Sequence, residues 1–432
     1  MKSRLFLLPL VILAVACAEK PATDDLVTEP EDAFAVTAPT PTEAVAHLRL
    51  DEAQEGYVRA GQEKSFRLLK QLARETATSY VCSPLSLQVA MAMLANGAEG
   101  ETRAEILSAL GYGQDDVEEL NRFVRSLILQ LPALDLDVTL RLADALLVTD
   151  KYPIRNDFRT VIRDSYFAPA TTVPFQDSQY VMDLVNGWAD RNTDGLIKQM
   201  LEEIDPNTVA ILLNALYFKA PWQEVDGAAI FDPDATAEDV FHRSAGTETK
   251  VSYMTTMKRF RYADKGSYEV LSIPYSNGQF CLYVLLPKDF QGFYPMLDEL
   301  IAKPWEEVIP RADAYKRVAL RLPKFDSAGD FNLNIALGSL GVRRIFDDQL
   351  AQFGPMFEVD RSGFYVSRVL QKARISLSEW GTEAAAVTSV EVTEKSAPQP
   401  EVTFHADHPF VYVIAGSDAD TPILFGGVFA GV

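Results

Sequence analysis

An α+β fold, built as one large domain over residues 57–432, is the expectation from this 432-residue chain. Helical periodicity dominates the first part of that stretch and strand-like runs dominate from Val251 onward, a segregation expected of α+β architecture rather than of alternating βαβ units. No repeat and no internal linker separates Tyr57 from Val432, so length alone does not divide the domain. With 48% hydrophobic and 23% charged residues, the chain has the apolar side chains for a large core.

Taken in order, residues 1–17 read as a signal peptide. Lys2 and Arg4 precede the apolar run Leu5 to Ala16, too short for a membrane span of about 20 residues. The run ends at Leu13-Ala14-Val15-Ala16-Cys17, which resembles a bacterial lipoprotein cleavage box, with Ala14 standing where a large aliphatic residue is usual. Cys17 is therefore the expected lipidated residue. It would anchor an exported protein at the periplasmic or cell surface, and ordinary secretion is the alternative. Residues 18–56 are rich in Ala, Pro, Thr, Asp and Glu with few large apolar residues. Such a segment does not offset its ordering entropy by burial and is expected to be a solvated acidic tether.

After Tyr57, Phe66, Leu68, Leu69 and Leu72 fall at helical spacing. Ser83-Pro84-Leu85-Ser86 reads as a helix start, with Ser83 as N-cap and Pro84 at the first helical position, and the helix stops near Gly97. Thr102 with Glu105 suggests a capping box for a helix closing at Gly111. Leu140 to Val148 and the unbroken apolar run Val209 to Phe218 read as strands, the second buried on both faces and hence central in a sheet. Helical patterns lie between them around Asp157 to Tyr166 and Tyr180 to Arg191. Phe280 to Leu286, Val318 to Leu322, Phe404, Phe410 to Ile414 and Ile423 to Val428 complete the strands.

A net charge of −21 opposes binding to a phosphate backbone, so no nucleic-acid partner is expected. Three cysteines do not make a disulfide framework, and Cys82 and Cys281, set among apolar neighbours, are expected as buried unpaired thiols. G-x-S-x-G, H-E-x-x-H, C-x-x-C and P-loop sequences are all missing. His405 and His408 flank a turn into a strand, and no metal or cofactor is expected there or elsewhere. Export alone supports a hydrolase, so an enzyme is not expected.

Residues 379 to 396 stand out. From Thr382 the alternate positions Thr382, Ala384, Ala386, Thr388, Val390 and Val392 are small, apolar or β-branched, giving a strand one face of which is ready for burial. The stretch then runs into Lys395-Ser396-Ala397-Pro398-Gln399-Pro400, where proline removes ladder donors and favours an exposed loop.

These segments together resemble the serpins. Cys82 to Ser86, Asn96 to Thr102, Asn186-Gly187-Trp188, Thr193 to Ile197, Leu213 to Lys219 with Trp222, Glu379 to Thr388 and Phe404 to Phe410 carry the likeness, in family order, over roughly residues 57 to 432. The resemblance implies three β-sheets, about nine helices and an exposed reactive-centre loop that a protease cleaves and that then inserts into the central sheet. Ladder bonds for a dozen residues, at about 0.5 to 1.5 kcal/mol each, give on the order of 10 kcal/mol to drive insertion.

The resemblance also assigns residues. Glu379, Gly381, Thr382, Glu383, Ala384, Ala385, Ala386 and Val387 correspond to the hinge. Gly381 offers the permissive backbone a hinge needs, and the face to be buried carries no charge. Ser83, Ser86, Asn214, Trp222 and Gln371 lie beneath the strands that open. Gln371 replaces a family histidine, and Trp380 stands where a polar residue is usual. With Glu379 counted as first, the seventeenth residue is Lys395, so the family register puts the cleaved bond at Lys395-Ser396. A Lys there suits a trypsin-like serine protease as partner. Val392-Thr393, which suits an elastase-like enzyme, stays open as an alternative, as does a non-inhibitory binding or surface protein on the same fold. A monomer is expected.

Overall fold

A computed structural model describes residues 34, 36–113, 117–225, 227–244, 246–358, 363–383 and 399–431. Cys17, Ala384 to Val387, Lys395 and Ser396 lie outside them. The described residues form nine α-helices and fifteen strands.

Helix α1, Glu52–Glu75, opens on a capping box in which Gln54 N–H donates to Asp51 Oδ1 (2.9 Å) and Asp51 N–H donates to Gln54 Oε1 (3.3 Å). It starts before the expected boundary at residue 57. The chain ahead of it also departs from a solvated tether. Phe34 is buried in the cluster of Leu147, Val173, Val185 and Trp188. Val45 N–H donates to Ala133 O (2.8 Å), and Gln279 Nε2 donates to Ala46 O (2.9 Å). Phe34, the packing of Val45, Leu48 and Leu50 on the main core, and bonds to the backbone thus hold a segment whose composition shows little apolar surface.

Strand β1, Tyr80–Cys82, leads into α2, Pro84–Gly97, where Ser86 N–H donates to the Ser83 hydroxyl (3.2 Å) and Pro84 occupies the first turn. Helix α3, Gly100–Leu110, ends on Gly111 in the left-handed conformation. Its start corrects the expected Thr102 capping box: Thr102 lies inside the helix, where its hydroxyl accepts from Gln352 N–H (3.0 Å). The Glu105 carboxylate instead accepts from Arg343 and Arg344 N–H (2.8 and 2.9 Å). Tertiary donors outcompete the local cap because residues 343–352, far along the chain, pack on this turn.

The remaining elements in chain order are α4 Val117–Gln130, β2 Thr139–Thr149, α5 Asn156–Val161, β3 Ala170–Val173, α6 Ser178–Asn192, β4 Ala210–Pro221, β5 Ala237–Ser244, β6 Thr247–Asp264, β7 Tyr268–Pro274 and β8 Phe280–Pro287. They continue with α7 Phe293–Ala302, α8 Trp305–Val308, β9 Tyr315–Pro323, β10 Phe325–Asn332, α9 Asn334–Ser339, β11 Arg368–Ser378, β12 Gly381–Thr382, β13 Val402–His405, β14 Phe410–Gly416 and β15 Ile423–Phe429.

A six-stranded sheet runs β10-β11-β12-β4-β2-β3. Alternate residues of β2 and β4 face α6 through Ala145, Leu147, Ile211 and Leu213, while Leu146, Leu212, Leu216 and Phe218 face the main core. Burial on both faces explains the unbroken apolar run of β4. The nine-stranded sheet runs β1-β15-β14-β8-β7-β6-β9-β13, with β5 on β6. The expected second and third sheets are joined in it because the 18-residue β6 continues from one into the other. Cys82 and Cys281 are buried and unpaired, as expected.

Candidate functional site

The edge between β11 and β4 is a fork. At one end the strands pair in parallel, from Arg368 opposite Ile211 to Lys372 opposite Ala215. At the other, the two residues of β12 sit between them, with Leu377 opposite Thr382 and Ser378 opposite Gly381 on one side, and Gly381 opposite Pro221 and Thr382 opposite Ala220 on the other. Among the described residues no ladder pair joins β11 to β4 between these two zones. The fork therefore presents unpaired strand edges to an incoming strand, the arrangement that favours strand addition.

Gly381 is required at the plug. Its φ is +140°, and a Cβ there would stand 2.1 Å from Ala220 O and 2.8 Å from Pro221 Cα, so any side chain collides with backbone. Thr382 is 1% exposed, and its hydroxyl is 2.6 Å from the Tyr275 hydroxyl. Tyr275 stacks on Trp222 with ring centroids 4.5 Å apart. Trp222 then ties the turn down: its indole N–H donates to Ser378 O (2.9 Å) and its backbone N–H to Trp380 O (3.0 Å).

Glu379 is buried in the turn before the plug. Lys324 Nζ donates to its Oε2 (2.9 Å) and the Thr236 hydroxyl to its Oε1 (2.7 Å). Burial pushes this carboxyl upward, but Lys324, backbone and Thr236 together hold it below the ordinary value. Glu383 has the opposite fate. It follows the plug at φ +52°, a conformation that costs a residue with a Cβ roughly 1–2 kcal/mol. Its N–H donates to Ser376 O (2.9 Å), and its Oε1 is buried with no hydrogen-bond partner. Burial lifts the carboxyl to about 7, with Lys219 of β4 pulling down and Asp326 of β10 and Asp194 after α6 pushing up. Tyr217 of β4 also faces it.

A raised carboxyl binds its proton more tightly in the seated hinge than in a free loop, so seating weakens as pH climbs from the ordinary Glu value through 7. Amide hydrogen exchange at Gly381 to Glu383 is expected to be faster at pH 8 than at pH 6 after correction for intrinsic rates. Glu383→Gln should remove the difference, and an unchanged difference in the variant would refute this assignment.

Beneath the paired end runs a row of buried polar side chains. Gln371, on β11, accepts from Ser83 N–H at Oε1 (2.9 Å) and donates from Nε2 to Ser83 O (2.8 Å) and Asn214 Oδ1 (2.5 Å). Asn214, on β4, donates in turn to Asp144 Oδ1 of β2 (2.7 Å). The row follows register, since Asp144 and Gln371 both lie directly opposite Asn214. The Ser83 hydroxyl donates to Leu424 O (2.8 Å), whereas the Ser86 hydroxyl is buried without a partner. Parting β4 from β11 breaks one side-chain bond of this row, Gln371 to Asn214.

A family model described as Serpin (serine protease inhibitor) matches residues 59–430.

The chain belongs to the serpin family.

This serpin is 33% identical over 359 residues to Serpin-ZXA of Oryza sativa subsp. japonica, covering 80% of this chain and 88% of that protein. It is 31% identical to Serine protease inhibitor 42Dd of Drosophila melanogaster, covering 82% and 91%. Among solved structures it is similar to the thermophilic serpin tengpin in the native state, with 27% identity, a TM-score of 0.76 and coverage of 90% and 97%. Arabidopsis AtSerpin1 in its native stressed conformation matches at 27% identity, a TM-score of 0.75 and coverage of 88% and 99%. The family is one of protease inhibitors rather than of enzymes, and the fold is the serpin fold.

Of the residues singled out from sequence, Gly381 and Thr382 meet Trp222 at the plug, and Ser83, Asn214 and Gln371 meet in the row. Asp144, Tyr275, Lys324 and Thr236 were missed. Asp144 had a signal: it is the lone carboxylate in the apolar run Leu142-Ala143-Asp144-Ala145-Leu146. His408 bonds Asp407 Oδ1 and Pro287 O, both at 2.8 Å, within the turn that precedes β14.

Proposed function

We propose that this serpin traps a trypsin-like serine protease as a suicide substrate, cleaved at Lys395-Ser396. The observation that carries the proposal is the plug: the chain leaving β11 turns back and enters the six-stranded sheet as β12, with unpaired edges of β11 and β4 beyond it. Continuing in that direction, the alternation of Thr382, Ala384, Ala386, Thr388, Val390 and Val392 offers small or β-branched side chains to one face of the inserted strand. Cleavage frees the far end of the loop, so insertion carries the acylated protease with it. The specificity follows from Lys395, whose cation suits a pocket with a carboxylate floor.

Purified protein mixed with trypsin is expected to give a covalent complex that survives boiling in SDS, with Lys395→Glu losing it. Cleaved protein alone, at every ratio tried, would refute inhibition. A complex that persists undiminished in Lys395→Glu would refute the assigned bond while sparing the mechanism.

A further inference from the structure

The last third of the long strand β6 carries cations that make no ion pair among the described residues. Arg259 lies directly opposite Arg317 of β9, and Arg261 lies opposite Tyr315 of β9 on one side and Ser272 of β7 on the other. Opposed residues of neighbouring strands share a face, as do positions two apart on one strand. Arg259, Arg261 and Arg317 therefore project together. Like charges placed directly opposite each other destabilise a strand pair, yet none of the three makes an ion pair among the described residues. This occurs in a chain with 61 acidic and 40 basic residues.

The neighbourhood neutralises them only in part. Arg261 is half-buried, and its guanidinium donates to Ser417 O (2.9 Å) and Cys281 Sγ (3.3 Å). Burial holds the Cys281 thiol above its ordinary value and so uncharged. Glu401, held low by bonds from Arg317 N–H (2.9 Å) and Lys316 Nζ (3.3 Å) and to a smaller extent by Arg259, is already shared among these cations. A cleft of about 480 Å³ is lined by Gln223, Arg259, Arg261, Ser272 and Tyr315. Glu224 lines the same cleft. A desolvated cation facing a polar cleft of this size is matched by an anion, and guanidinium forks fit oxyanions.

We propose that this cleft binds a phosphate group, held by Arg261 and Arg259 of its lining, with Arg317 adding its charge from the position opposite Arg259. A doubly charged oxyanion suits three cations better than a carboxylate does. The position matters to the hinge: Gln223 N–H bonds Pro274 O (3.1 Å), and the preceding Trp222 and Pro221 hold Trp380 and Gly381.

Inorganic phosphate, titrated at ionic strength matched with sodium chloride, should bind saturably to the full chain by calorimetry. The exposed-site variant Arg259→Gln/Arg317→Gln, which leaves the Arg261 bonds in place, should bind about tenfold or more weakly. Arg261→Gln should abolish binding, provided its circular dichroism matches the parent. Acetate should compete poorly. Absence of saturable binding, equal binding by the double variant, or capture by phosphatidic acid vesicles without binding of free phosphate would each overturn the site.

Discussion

Replacing Thr382 by arginine is expected to leave loop cleavage by trypsin intact while abolishing the SDS-stable complex. Thr382 occupies the gap between β11 and β4 at 1% exposure, against Tyr275 and the stacked Trp222. A guanidinium there would replace a small hydroxyl packed on Tyr275, and burying it costs several kcal/mol. The arginine is therefore expected to leave the gap, so that insertion must begin by burying it. A barrier raised by about 3 kcal/mol slows insertion more than 100-fold, so hydrolysis of the acyl-enzyme wins. Stoichiometry of inhibition should rise at least about tenfold on the same arithmetic. Thr382→Ser keeps the hydroxyl facing Tyr275 and should inhibit like the parent. If the arginine variant traps trypsin as well as the parent does, a seated Thr382 is not needed for inhibition.

The second large effect concerns Asp144. Burial in the sheet pushes its carboxyl up to about 8, against the hydrogen bond from Asn214. An ordinary Asp titrates near about 3.9. Between those values the folded protein holds a proton that the unfolded chain has released, so stability falls as pH rises across that window. The accumulated loss above pH 8 is on the order of several kcal/mol. Asp144→Asn keeps an oxygen for Asn214 and removes the ionisation. Its melting temperature should exceed the parent's slightly at pH 5 and by several degrees or more at pH 8. A gain of equal size at both pH values would mean that Asp144 is not the titrating group.

How much of this was legible in sequence depended on whether the cause was local. The Ser83-Pro84 helix start and the doubly buried β4 were readable because capping and periodicity act over a few residues. Likewise Gly381 announced a backbone that other residues do not adopt. The Thr102 and Glu105 spacing misled because Gln352, Arg343 and Arg344 arrive from far along the chain to take those side chains. Phe34 was hidden by the composition of residues 18–56: a few scattered apolar residues do not predict docking, yet Phe34, Val45, Leu48 and Leu50 each find an apolar surface. β12 was invisible as a present strand, since two residues carry no periodicity and their ladder partners lie on β4 and β11. The row under the fork was only partly readable, because register, not sequence spacing, places Asp144 opposite Asn214.

The most direct test of the fork as an insertion site needs no knowledge of the target. The loop is nicked by a protease that the protein does not trap, and melting is compared before and after, with Thr382→Arg alongside. Insertion of a dozen residues at about 0.5 to 1.5 kcal/mol each predicts a rise of more than roughly 10 °C, smaller or absent in the arginine variant. An unchanged or lowered melting temperature after clean loop cleavage would contradict the account.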